Sequence, residues 1–239
     1  MGRPALTLLR SQSAPAVGES LSSIVPTGRL VELSTPSTGP SARTSTAVSL
    51  LAHAQQQGET AVWLQPQGGP LYPPDLGEAG IDLDALVVIH VPASSGPHGA
   101  CKAAELLLRS GAFGMLVLDL TAGVPPGSGE AWQGRLLALA RQHHARVVLL
   151  TDKPSHAASL GPLVGLRIES TRTDGVETLV PLSSPTPLAP LRPGGGGGGG
   201  RRGKARTPTR FFVHHSVLKN KTGKTLEPSL ESYRGPWGL

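Results

Sequence analysis

Residues 33–67 read LSTPSTGPSARTSTAVSLLAHAQQQGETAVWLQPQ, the layout of a strand, a phosphate loop, a helix and a second strand. A working loop of this kind is G-x-x-x-x-G-K-[ST]. Its glycines let backbone N–H groups approach phosphate, its Lys pairs with the β- and γ-phosphates, and its hydroxyl binds Mg²⁺. Counted back from the helix, the corresponding residues are Ser37, Ala42, Arg43 and Thr44. Both glycines are gone, and Pro40 removes a further backbone donor. Arg43 keeps a positive charge, but a planar guanidinium fork does not replace a compact ammonium. Thr44 alone is intact. Asp119, at the end of GMLVLDL, has the type and place of a strand-end carboxylate that could assist a metal. The spacing of a phosphate loop is present, and most of its chemistry is missing.

A second cluster lies near the C-terminus. Arg201, Arg202, Lys204, Arg206 and Arg210 precede Phe211 and Phe212, and Lys219, Lys221 and Lys224 follow. Cations interleaved with rings suit single-stranded nucleic acid, where charge tracks phosphate and rings stack on bases. They equally suit an acidic protein groove with Phe211, Phe212 and Val213 as anchors, or a solubilising tail with no ligand. The adjacent pairs His143/His144 and His214/His215 read as solvated or stacking histidines, since neighbours on a helix point apart. No metal site is expected. Trp63 and Trp132 read as core or interface aromatics.

The elements that must position these residues follow from apolar periodicity. Strands are predicted at 28–33, 60–64, 86–91, 114–120 and 146–152, and helices at 46–57, 101–111 and 130–144. A closing hairpin is predicted from 163–170 and 176–182. Continuous apolar strands alternating with helices indicate an α/β fold, a mostly parallel sheet covered on both faces. The Ser- and Pro-rich residues 1–25 read as a loosely ordered N-terminus, 26–182 as the core, and 183–200, with seven consecutive glycines, as a linker. Residues 201–239 read as a disordered basic tail.

Composition bounds the function. Among 239 residues the 31 Gly and 23 Pro are numerous, and hydrophobic residues make up only 38%, so the core is expected to be modest. The net charge of +6 is uneven. Residues 1–191 hold 12 Lys/Arg against 14 Asp/Glu, whereas 192–239 hold 10 against 2. The basic part suggests an acidic partner. A single cysteine, Cys101, excludes an internal disulfide. No apolar run is long enough to span a bilayer, and a cytoplasmic location without membrane contact is expected.

The order of segments resembles the RecA recombinase core and, more closely, the ImuA family of RecA-like proteins from bacterial mutagenesis cassettes. PTGRLVEL at 26–33 is similar to the RecA entry into its first core strand. LLAHAQQQGETAVWL at 50–64 looks like the helix and strand after the phosphate loop, and LGEAGIDLDALVV at 76–88 resembles the segment after that. LLLRSGAFGMLVLDL at 106–120 looks like the helix, turn and Walker B strand, and LVGLRIESTR at 163–172 like a late strand. VLKNKTG at 217–223 resembles the RecA segment that leaves its core.

The resemblance implies a RecA-like P-loop NTPase core. By that match Gln67 stands where a catalytic Glu would orient water, with Gln65 two residues before, and an amide cannot act as a base. The connections that would read single-stranded DNA, 121–132 and 152–162, carry no cation but Lys153. The implied function is that of a catalytically inactive accessory protein in DNA-damage-induced (SOS) mutagenesis and translesion synthesis, with no nucleotide cofactor. Its implied partners are RecA and ImuB, an inactive Y-family polymerase homologue, with an error-prone polymerase reached indirectly and the nucleoid reached on DNA damage. A mediator that binds single-stranded DNA through the tail, and an atypical RecA-type ATPase, are the alternatives.

Overall fold

In the computed structural model, residues 21, 25–69, 71–127, 129–173, 210–223, 226 and 228–234 are described. The elements are β1 (Arg29–Thr35), α1 (Arg43–Gln56), β2 (Ala61–Pro66), α2 (Pro73–Glu78), β3 (Leu86–Val91), α3 (Gly96–Arg109), β4 (Met115–Asp119), α4 (Glu130–Gln142), β5 (Arg146–Pro154), β6 (Val164–Thr173), β7 (Arg210–Asn220) and β8 (Ser229–Arg234). They form one eight-stranded sheet in the order β3-β2-β4-β5-β1-β6-β7-β8. Pairings among β1 to β6 are parallel, whereas β7 and β8 join antiparallel. The expected mostly parallel α/β fold is therefore the fold of this chain.

Burial explains the strand sequences. Central strands covered on both faces need apolar residues at every position, and Val62, Trp63, Leu64, Leu116, Val117, Leu118, Val147, Val148 and Leu149 are all buried. The two faces hold separate cores. On one, α1 packs Ala47, Leu50, Leu51 and Ala54 against Val31, Leu33, Trp63, Val117 and Ile168. That i, i+3, i+4, i+7 spacing is a single helical stripe, and Gly58, at φ 81°, turns the chain out of the helix. On the other face, α3 and α4 cover Leu30, Val62, Leu64, Leu116 and Leu149. Glu105 of α3 ties these two helices, accepting from Arg109 at 2.6 Å and from Arg135 of α4 at 2.9 Å. No helix among the described residues is long and apolar enough to cross a membrane.

The C-terminal segment departs from expectation. The predicted partner of β6, at 176–182, lies outside the described residues, as do the linker 183–200 and most of 1–25. The antiparallel partner of β6 is β7, from the segment read as a disordered tail. Phe211 and Val213 are buried with Ala42, Val217 packs on the α1-side core, and Tyr233 of β8 stacks on Phe211 with centroids 5.6 Å apart. The boundary drawn between a core ending at 182 and a separate tail at 201 is thus corrected. Phe211, Val213, His215 and Val217 repeat with the two-residue period of a strand, and burying that face recovers apolar surface that a free tail would leave in water. α3 also begins earlier than predicted, at Gly96, where Pro97 near the helix start suits the first turn.

Candidate functional site

Parallel sheets place ligand sites at the carboxyl ends of strands, where successive connections leave in opposite directions. β1 is such a strand: the chain leaves it through α1 to β2 on one side, and β6 flanks it on the other. The loop of residues 36–42 sits here.

That loop is stitched to β6. The Ala42 N–H donates to Ser170 O at 2.9 Å, the Arg172 N–H donates to Pro40 O at 2.9 Å, and Ser41 and Thr171 form an antiparallel bridge. Gly39 makes the turn at φ 82°, and a Cβ there would meet Thr171 Cγ2 at 3.2 Å. Backbone groups that a phosphate cradle would turn inward are thus partly committed to the sheet. Ser37, which is exposed, contacts Ser155 and lies 3.2 Å from His156 Nδ1, closing the loop on the β5–β6 connection.

Arg43 opens α1, and its guanidinium folds back over the strand ends. Nη1 donates to Thr35 Oγ1 and to Thr151 O at 3.2 Å, and pairs with Asp152 Oδ1 at 2.5 Å. The cation at the lysine position is therefore held by an internal carboxylate. Thr44 is half-buried on the first turn of α1. Asp119 is buried at the end of β4 and accepts from the Thr121 N–H at 2.9 Å. β5 stands between β4 and β1, so Asp119 lies two strand spacings, about 10 Å, from β1. Gln67 is exposed, and its N–H is bound by Val91 O at 2.9 Å. Gln65 is buried, accepts from the Leu71 N–H at 3.2 Å, and leaves Nε2 without a described partner.

Residues of the expected C-terminal interface divide. Arg201, Arg202, Lys204, Arg206 and Lys224 lie outside the described residues. Arg210 begins β7. The anchor role expected for Phe211 and Val213 is corrected, because both are committed to the core, while Phe212 is half-buried. Lys219 and Lys221 reach back to the β5–β6 connection, Lys219 Nζ donating to Ser159 Oγ at 3.0 Å and Gly161 O at 2.7 Å, and Lys221 Nζ to Pro162 O at 3.3 Å. Among the described residues no cluster of His, Cys, Asp and Glu could hold a metal ion.

Two polar groups were not anticipated. Glu32 and Arg167 are 0% and 3% exposed and 3.6 Å apart on adjacent strands. Glu32 also accepts from Thr151 Oγ1 at 3.2 Å and from the Leu160 N–H at 3.0 Å, while Arg167 donates to Ala157 O and, at 2.8 Å, to Pro154 O. The available signal was a charge inside each of two apolar runs, LVEL at 30–33 and VGLRI at 164–168. The other group centres on His215, which is buried, with Nδ1 3.1 Å from Ser170 Oγ and Nε2 3.8 Å from Glu231 Oε2. Tyr233 OH donates to Glu231 Oε2 at 3.0 Å and the Leu21 N–H to Oε1 at 3.0 Å. Burial works against the Glu231 carboxylate, yet bonds from His215, Leu21 and Tyr233 hold its pKa down at about 2. The Tyr233 hydroxyl is pushed up by burial and by Glu231.

A mostly parallel sheet covered by helices, with a helix opening directly after the loop at the end of β1, is the layout the resemblance implies, and the RecA N-terminal domain family matches residues 14–147, more than half of the chain. The chain belongs to the RecA family. Among curated relatives, it is 35% identical to Protein RecA of Clostridium acetobutylicum over 102 residues, 43% of this chain and 28% of that protein. It is 32% identical to Protein RecA of Thermus thermophilus over 106 residues, 44% of this chain and 29% of the relative. Against Protein RecA of Rickettsia bellii the figures are 28% over 120 residues, 49% and 33%. The chain thus spans a third or less of these relatives.

Proposed function

We propose that this RecA-family chain is a non-hydrolysing accessory protein of the ImuA type, acting in DNA-damage-induced mutagenesis and translesion synthesis by binding RecA and ImuB. The observation that carries the reading is the Arg43–Asp152 pair at 2.5 Å over a loop bonded to β6. To hold a triphosphate, Arg43 would have to leave Asp152, and the loop would have to release Ser170 and Arg172. Phosphoryl transfer depends on several positioned groups acting together. Here the lysine, both glycines and the catalytic carboxylate are all replaced. The fold outlasts that loss because its core is built from residues a nucleotide need not touch. The resemblance of segment order to the ImuA family supplies the cellular setting.

The direct test is steady-state ATP turnover and nucleotide binding by the purified chain, with and without single-stranded DNA. No turnover is expected. Turnover that disappears on Thr44→Ala would overturn the reading, since Thr44 is the intact loop residue.

A further inference from the structure

A pocket of about 400 Å³ opens on the sheet face bearing Glu32, between the β5–β6 connection and β7. Its wall from the connection consists of Ser155, Ala157, Ala158 and Ser159, and its sheet side of Arg167, Leu218 and Lys219. A local irregularity builds it. Arg167 pairs with Lys219 and Ile168 with Val217, so Leu218 is the extra residue of a β-bulge. Bulges re-aim side chains, and here Leu218 and its neighbour Lys219 both line the cavity instead of alternating across the sheet.

The pocket is cationic and half aliphatic. No carboxylate is among its lining residues. Lys153 and Lys221 bond to the same connection, at Ser159 O and Pro162 O, and add charge at its edge. Glu32 lies beneath Arg167 as its buried partner, and Asp152 is engaged by Arg43. Desolvation and the like charges of Lys221 and Arg167 lower the Lys219 ammonium from its ordinary pKa, with Glu32 opposing, as expected where positive charge is crowded. The Arg167 guanidinium, bonded to Ala157, Lys153 and Pro154 carbonyls, supplies charge more than a donor face. Two of the three Lys219 protons are assigned, leaving one to donate outward.

We infer that this pocket is a docking site for an acidic–apolar segment of a partner protein, a carboxylate side chain seated at Lys219 over Arg167 with an adjacent apolar side chain on Leu218, Ala157 and Ala158. Nucleic acid fits less well: no aromatic ring lines the pocket, and Leu218, 38% exposed, offers methyl groups where a phosphate would want donors. The inference deepens the proposed accessory role and rests on it for the expectation of a protein partner.

The test uses the full chain and a fluorescein-labelled hexapeptide of alternating Glu and Leu, followed by anisotropy at low salt. Saturable binding is expected, absent for the matching Lys–Leu peptide. Ala158→Asp, which touches none of the bonds described above and places a negative charge in the pocket, should weaken binding about tenfold, or about 1.4 kcal/mol. Lys219→Glu should weaken it at least as much, and Leu218→Ser by a smaller factor. Thermal melts separate lost binding from lost fold. No binding by the unsubstituted chain, or equal affinity in Ala158→Asp, would overturn the inference. So would a dT20 strand that binds with the same Lys219 dependence while the peptide does not. ATP turnover assayed on the same preparations reports on the non-hydrolysing reading alone, so the two readings fail separately.

Discussion

Glu231 illustrates how far a side chain's neighbours set its behaviour. Its carboxyl sits at about 2, below an ordinary value of 4.5, because the His215, Leu21 and Tyr233 bonds outweigh burial. A depressed carboxylate stabilises the fold fully above its ordinary pKa and loses that contribution as pH falls through the folded value. The window is therefore pH 4.5 down to about 2. Each pKa unit is worth about 1.4 kcal/mol, and solvent screening at a partly exposed group brings the total to on the order of 2 kcal/mol. Glu231→Gln should flatten the acid limb of a stability-against-pH curve in this window and leave its slope near pH 7 unchanged. An acid limb of unaltered steepness would show that other carboxylates govern it. At this scale the sequence was informative about what the phosphate loop lacks and silent about what replaces it. The loss of lysine can be read from Arg43, but its partner Asp152 lies 109 positions away on β5, and only the sheet order brings the two together.

At the level of elements, a buried ion pair joins the lysine contacts in holding the β5–β6 connection to the sheet. Arg167 donates to its carbonyls, and Glu32 takes the Leu160 N–H. Removing one partner of a buried pair strands the other charge, at a cost of about 3–5 kcal/mol. Arg167→Met should therefore destabilise the fold by about that much in urea unfolding. Glu32→Gln with Arg167→Met should cost less than the sum of the two single changes, because neither variant side chain leaves a buried charge behind. Strict additivity in that cycle would mean that the pair is uncoupled. The strands bearing these residues were legible because Leu30, Val31 and Leu33 surround Glu32, and Val164, Leu166 and Ile168 surround Arg167. β7 was not, for a physical reason. Its partner β6 is non-local, its inward positions include a histidine, and the glycine run before it drew the boundary in the wrong place. The alternation Phe211, Val213, His215, Val217 was available in the sequence, yet His215 reads as inward only once Ser170 and Glu231 are known to face it.

For the whole molecule, the consequence is that the C-terminal segment is part of the folded body. Deleting 201–239 would remove β7 and β8, expose the edge of β6, and uncover Ala42 at the start of α1. Phe211 and Val213 would leave the core, each at about 1.5–3 kcal/mol of lost burial. His215 would leave Ser170, which is itself fully buried, without its described partner. Together these losses are a large fraction of the 5–15 kcal/mol that typically holds a domain. The truncated chain should melt well below the full chain, or fail to fold. Phe211→Ala, which leaves the strands in place, should cost about 3–5 kcal/mol in denaturant unfolding. The pair of experiments has a clear failing outcome: a truncation at residue 200 that keeps the full chain's melting temperature would mean that the body is complete without these strands. The placement also bears on how partners are gathered. Lys219 on β7 and Lys221 just beyond its end stand beside the connection that follows β5, bonded to it. A surface they contribute to is then pre-organised and avoids the ordering entropy a flexible tail would lose on binding.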